Sequence, residues 1–535
     1  MGTLRAARAL LAILLALAAP LTAQAGSLTL LGAGSPSAGF NTWRYNGFTG
    51  QTPNKIYTAH ATKTRQLYYK TDYIMAPSDR CVVWFDAYAV VAGSEVTAAA
   101  YNVIRMSVQG VTSTPVNFSA SRTKTLTSGQ VLAVSDEFTV ASLGITTFPA
   151  QIKLKGVGST AGGATDVTLD RGVMNSNVGG GVISGDISGY YQDPGDSSDV
   201  NQVDTVGPFT VIPSGAVGAN VHFPSGIICR TTGTQQSLIA LVDSIGDGYF
   251  AFNWDPTVAN SGGLIRAAAW NAQKPLFMHG VYGSEPNNFA GAKSIASIQA
   301  QYSGSRLFTA GIAQSNANQF NGVNSLATIQ ATNATVWSTL ADASHGGARP
   351  VYASQVTIPN ETSTAGATTY PSQSKFAGGP AYFEAYNTWL DGKGPAGDNT
   401  VQGILGYPGL YDAAQSNKIT VVNKSWTLGT TVGAGAGTLR LNGSVAPLPG
   451  EGIWIGGTGG EGVLVNTVSV VTPGSVWDVT LYGTQSTSSN VGNTVNAHTS
   501  GVAVQVSYQP IDRIHPTQNA HAMVAGAWAG TAPFD

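Results

Sequence analysis

Apolar and polar positions along this chain fall into short runs whose character changes twice. From residue 26 to about 210 the runs are brief and rich in β-branched and aromatic residues, as at 80–85, 102–108 and 150–155, with Gly, Ser, Thr and Pro between them. Short strands separated by turn residues at this spacing predict a β-sandwich. The stretch 178–204, rich in Gly and Asp, reads as a long loop or linker.

The texture changes after Val211. Ser237-Leu238-Ile239-Ala240-Leu241-Val242 is a continuous apolar run, the pattern of a central parallel strand buried on both faces. Residues 261–272, 290–301 and 371–390 carry helix-compatible text, and 306–310 and 350–353 read as further strands. Alternation of this kind predicts an α/β sheet. Near Lys418 the pattern stops. Val/Thr/Gly-rich runs at 419–422, 438–441, 452–455, 463–465 and 477–481 predict a small β domain, and helical text resumes at Pro516. The expected organisation is a leader at 1–25, an N-terminal β-sandwich at 26–210, and an α/β domain at 211–418. A β-rich insertion at 419–508 follows, and the α/β domain closes at 509–535.

The leader reading rests on its charge and hydropathy. Arg5 and Arg8 precede an apolar stretch from 9 to 21 broken by Pro20, and Ala23-Gln24-Ala25 is a small-x-small cleavage site. That is the form of a secretory signal, too short in its apolar part for a membrane span. Export to the periplasm or the extracellular space is expected, with no membrane span in the mature chain. Composition agrees: charged residues make up 10% of the 535 residues, while Gly alone supplies 66, as in turn-rich β proteins. Lys plus Arg is 26 against 28 for Asp plus Glu, a net charge of −2, so nothing attracts a polyanion and nucleic acid is set aside as a partner. Cys81 and Cys229 are the two cysteines. In an oxidising compartment they pair and join the N-terminal domain to the start of the α/β domain, or they remain two buried thiols. No CxxC or HExxH occurs, so neither zinc nor dithiol chemistry is expected.

Candidate chemistry stands at two places. Strand 237–242 ends in Asp243-Ser244-Ile245-Gly246-Asp247-Gly248, and ligands of open parallel sheets bind at the carboxyl ends of strands. Ser244 is either a hydroxyl projecting into that crevice or a helix-capping serine. Near the other end, Asp512 stands three residues before His515, which Pro516 follows. A carboxylate that near can orient the imidazole, whose other nitrogen can take a serine proton. No Gly-x-Ser-x-Gly elbow occurs, which counts against an α/β-hydrolase. His60, His222, His279, His345, His498 and His521 lack a partner pattern, although His279 stands close to a further block described next. Asp193, Asp196 and Asp199 do not have EF-hand spacing and read as a solvated acidic turn.

These blocks resemble those of the SGNH (GDSL-type) hydrolases. Val242-Asp243-Ser244 resembles the first block and Asp512-Arg513-Ile514-His515-Pro516 the last; Gly280-Val281-Tyr282-Gly283-Ser284 and Gln314-Ser315-Asn316-Ala317 are similar to the second and third. The resemblance covers about 216–418 and 509–535. Val242 stands where the first block has glycine, and Gln314 and Ala317 replace the outer residues of the third. It implies a flavodoxin-like α/β fold and serine ester hydrolysis without metal or organic cofactor. Ser244 would be the nucleophile, His515 the base and Asp512 its orienting partner. The backbone N–H groups of Ser244 and Gly283 and the Asn316 amide would form the oxyanion hole. Export and flanking β modules favour an ester on an extracellular polymer as substrate, acetylated polysaccharide first. The other class consistent with the altered blocks is a non-catalytic carbohydrate-binding or surface protein on the same scaffold.

Overall fold

The structure is a computed structural model. It describes residues 39–535 outside the stretches 51–54, 59–64, 92–93, 98–100, 127–131, 161–164, 169–186, 193–199, 211–216, 219–223, 244–245, 247–262, 281–292, 315–324, 342–348, 357–359, 362–373, 376–379, 408–409, 413–417, 420–423, 449–450, 485–493 and 507–517 and the single positions 87, 303, 459 and 495. The leader at 1–25 lies outside the described residues. Among the described residues no helix is long and apolar enough to cross a membrane.

The N-terminal region is two antiparallel sheets face to face. One contains the strands Thr42–Tyr45, Gly226–Thr231, Arg80–Asp86, Leu132–Val134 and Phe138–Thr139; the other is built around Arg65–Ile74, Ala150–Thr160 and Tyr101–Gln109. Alternate residues of both sheets, among them Tyr68, Val83, Phe85, Val103, Met106, Ile152 and Ile227, fill one core between them, the packing of a sandwich. Two expectations change here. The strand Gly226–Thr231, placed by the sequence reading at the start of the α/β domain, pairs with Arg80–Asp86, and Cys229 stands directly opposite Cys81. The two form a disulfide, so the bond lies inside the sandwich and does not join it to the α/β domain. The linker at 178–204 also holds structure. Ile187–Gln192 is a strand of the second sheet, and Asp204 accepts from Arg105 and, at 2.7 Å, from Arg122. Lys155 and Gln109 both donate to the main-chain oxygen of Thr205, which pins this segment to the sheet.

The α/β unit has five parallel strands: β1 (Leu238–Val242), β2 (Leu276–Gly280), β3 (Ala310–Ala313), β4 (Val351–Ser354) and β5 (Gly403–Leu405). Its helices are α1 (Leu264–Asn271), α2 (Lys293–Gln301), α3 (Leu326–Ala341), α4 (Pro380–Asp391) and α5 (Gln518–Trp528). Every residue of β1 is buried, as its unbroken apolar sequence demands. The strand order is β2-β1-β3-β4-β5, the flavodoxin-like order with its switch point beside β1. Right-handed crossovers then put α1 on one face and α2, α3 and α4 on the other. α5 packs beside α1 and α3 packs on β3 and β4.

The seam with the sandwich is built from backbone as well as side chains. β2 is an edge strand, and the chain at Gly47–Gly50 runs along it: Leu276 N–H donates to Gly47 O and Met278 N–H to Gly50 O, both at 3.1 Å. An exposed edge would invite strand pairing between molecules, and this segment covers it. The Tyr45 ring is fully buried against Trp84, Phe277 and Phe308. A Cβ on Gly50 would come within 2.1 Å of the Tyr45 hydroxyl, so only glycine fits there.

Between β5 and α5 the chain forms a closed antiparallel barrel from β6 (Ser425–Leu428), β7 (Thr438–Asn442), β8 (Gly452–Ile455), β9 (Glu461–Thr472), β10 (Val476–Thr484) and β11 (Ala503–Val506). Inward positions such as Trp426, Leu428, Leu439, Leu441, Ile453 and Val479 make its core. Its first and last strands pair, and Val506 N–H donates to Lys424 O at 2.9 Å. The chain therefore enters and leaves the barrel at adjacent points.

Candidate active site at the carboxyl edge of the parallel sheet

β1, β2 and β3 are adjacent and parallel, so Val242, Gly280 and Ala313 end side by side on one edge of the sheet. Beyond that edge two strand ends are locked together. Gln314 N–H donates to Leu241 O at 3.0 Å, and its side-chain Oε1 accepts from Asp243 N–H at 3.1 Å. Asp243 is 1% exposed, and its Oδ1 accepts from Gly246 N–H at 3.3 Å. One side chain thus spans β1 and β3 and satisfies a buried backbone donor that the sheet leaves open. The glutamine that departs from the third block's pattern has a defined structural role.

That lock sets the residue at 246. A Cβ there would stand 2.0 Å from Gln314 Oε1 and 2.9 Å from Val242 Cβ. Gly246→Ala is expected to push the glutamine off Asp243 and to displace the turn that follows β1. If hydrolysis depends on that turn, kcat should fall by about 10-fold or more, alongside a stability loss of about 1–3 kcal/mol from the clash and the freed donor; steady-state kinetics with a small ester, on protein shown to be folded by circular dichroism, checks this. Unchanged kcat would mean that the turn does not position a reacting group.

The opposite wall is held by a histidine. His521, in α5, is fully buried, and its Nδ1 accepts from Leu264 N–H at 3.2 Å. Acceptance at Nδ1 leaves the proton of the neutral ring on Nε2. Leu264 is the first residue of α1, whose preceding segment comes from the carboxyl end of β1. The start of α5 is therefore pinned to the same side of the sheet as Asp243. Nothing in the sequence neighbourhood of His521 signals this partner. His279 is likewise buried, in β2 opposite Leu241. His498 is in the barrel, with Nε2 2.7 Å from Glu461 Oε1.

Ser244, Gly283, Asn316, Asp512 and His515 all lie outside the described residues, as do His60, His222, His345, Asp193, Asp196 and Asp199. The described chain next to the first five is Asp243, Gly280, Gln314 and Gln518. Three of these belong to neighbouring strand ends, and the fourth opens the helix pinned by His521. No group of three or more His, Cys, Asp or Glu able to hold a metal ion occurs among the described residues.

No family model matches the chain, and no curated protein matches it. Solved structures do. A Bacillus subtilis protein from a structural-genomics programme matches at 9% identity and TM-score 0.23, covering 60% of this chain and 65% of that one. A family two carbohydrate esterase from Clostridium thermocellum, solved with cellohexaose, matches at 11% identity and TM-score 0.25, covering 68% and 88%. A carbohydrate acetylesterase from Xanthomonas citri matches at 10% identity and TM-score 0.21, covering 83% and 94%. Likeness at this level carries no conclusion about fold or activity.

Proposed function

We propose that this chain is an exported serine ester hydrolase with the SGNH arrangement, acting through an acyl-enzyme. The observation that supports the reading is the 2-1-3-4-5 parallel sheet with Asp243, the residue before Ser244, at the carboxyl end of its interior first strand. That is the switch point at which sheets of this order bind ligands. The sequence segments leading to Gly283 and Asn316 leave the two flanking strands on the same edge.

In this mechanism His515 takes the hydroxyl proton of Ser244 while Asp512 orients its ring. Ser244 Oγ adds to the ester carbonyl, and the Ser244 and Gly283 N–H groups with the Asn316 amide hold the oxyanion. Collapse expels the alcohol, which takes the proton from His515. Water, activated by the same imidazole, then releases the acid and regenerates the serine. The substrate is an acyl ester on an extracellular polymer, with acetylated polysaccharide foremost.

The direct test is turnover of p-nitrophenyl acetate together with fluorophosphonate labelling and peptide mapping. One adduct, on Ser244, is expected. A folded protein that neither turns over the ester nor takes the label would instead favour a non-catalytic binding protein. Within an active protein, Asn316→Ala should lower kcat by about 10²-fold with little change in KM, because the amide acts mainly on the transition state.

A further inference from the structure

The opposite edge of the parallel sheet carries a charge that the proposed catalysis does not use. Arg349 directly precedes Pro350 and β4, and Pro350 O accepts from Gly311 N–H of β3 at 3.0 Å. Arg349 is 4% exposed. Its Nε, Nη1 and Nη2 are all buried, and none has a hydrogen-bond partner among the described residues. A guanidinium has five donors, and leaving all of them dry is costly.

Its charged neighbour is another cation. Arg306, the exposed residue shortly before β3, acts electrostatically on Arg349. It acts in the same way on Arg44, of the sandwich strand Thr42–Tyr45. Arg44 is served by main-chain oxygens: its Nη1 donates to Arg306 O at 2.5 Å and to Trp43 O at 3.2 Å, and its Nη2 to Gly233 O at 3.3 Å. Arg349 has no such set. Burial first, and Arg306 second, pull its pKa down to about 10, which still leaves it protonated at neutral pH. A buried, unpartnered fork before β4, with a second guanidinium before the neighbouring strand β3, has the chemistry of an oxyanion receptor.

We propose that the amino-terminal edge of the parallel sheet binds a small oxyanion of phosphate or sulfate size between Arg349 and Arg306. The planar fork of Arg349 matches two oxygens of such an anion, and a tetrahedral anion has further oxygens for Arg306. The exposed Arg306 is the side of entry. The anion offsets the repulsion between the two guanidiniums and braces β3 against β4 where both strands begin. This site stands apart from the carboxyl edge and does not depend on the hydrolase reading.

The test uses the full mature chain. Thermal melting is followed against inorganic phosphate, sulfate and chloride at matched ionic strength and pH, with calorimetric titration of the same ions. A saturable rise in Tm of a few degrees is expected with phosphate or sulfate and none with chloride, since a ligand of the native state stabilises by mass action. Arg349→Met should abolish the rise, and Arg349→Lys should weaken binding at least about tenfold, because an ammonium keeps the charge and loses the fork. Arg306→Met, at an exposed position, should fold in any case and also weaken binding. The proposal is overturned by the absence of a saturable response in the parent protein, or by a response that persists in Arg306→Met and Arg349→Met.

Discussion

A His515→Ala variant is expected to hydrolyse p-nitrophenyl acetate with a kcat lower by about 10³-fold or more, and Ser244→Ala should lose at least as much. In the proposed mechanism, loss of the imidazole leaves the serine hydroxyl without a base to take its proton and the leaving alcohol without an acid to supply one. If the two side chains act as one unit, as proposed, the double variant should be little worse than either single one. Asp512→Asn should be milder than His515→Ala, since an amide can still hold the ring. The pH profile supplies an independent check. Only neutral imidazole accepts the proton, so activity should fall as pH drops through the range near 6.5. A flat profile between about pH 5 and 8, or full activity in Ser244→Ala, would remove both residues from the mechanism. Circular dichroism of each variant separates lost chemistry from lost folding.

The second large effect concerns stability. Replacing both cysteines by alanine should lower the unfolding free energy of the sandwich by about 2–5 kcal/mol. Cys81 and Cys229 are fully buried, face each other across two paired strands, and are separated by 148 positions. Loop-closure entropy for a loop of that length comes to roughly 5 kcal/mol, an upper figure because unfolded chains retain some order. Both sulfurs also belong to the core between the two sheets, so alanine removes packing as well. Urea unfolding of parent and variant, read at the sandwich's own transition, measures the difference. A change below about 1 kcal/mol would show that the unfolded chain is already held compact near these residues.

How much was legible varied with the physics of each segment. The run at 238–242 announced β1 because a short, unbroken apolar stretch among turn residues fits a strand buried on both faces. The barrel strands β7 and β10 were visible because buried and outward-facing residues alternate along them. α3 escaped notice: Leu326–Ala341 is rich in Thr, with a Ser and an Asn, all weaker helix formers than Ala or Leu. Its buried residues Ile329, Asn333, Val336, Trp337 and Leu340 nonetheless follow one helical face. Thr332 and Thr335 return their hydroxyls to the carbonyls of Thr328 and Ala331. β5 is only three residues long, too short to carry a period. The place of Gly226–Thr231 in the sandwich could not be read locally, because its partners Thr42–Tyr45 and Arg80–Asp86 are distant in sequence. Around the candidate site, Ser244 and His515 stand out by motif. The Gln314 lock and the His521 tether join residues 71 and 257 positions apart and leave no local mark.

The pairing of Thr42–Tyr45 with Gly226–Thr231 also dictates an order of events during synthesis. The earlier strand emerges from the ribosome with neither of its lasting neighbours made, since Tyr45 also needs Leu307. Cys81 precedes its partner by 148 positions, which at about 5–20 residues per second is roughly 7–30 s of translation. Throughout that interval the backbone edge of Thr42–Tyr45 and the Cys81 thiol both lack their partners and are open to wrong ones. A nascent-chain series stalled before and after residue 231 would locate the moment at which the sandwich closes.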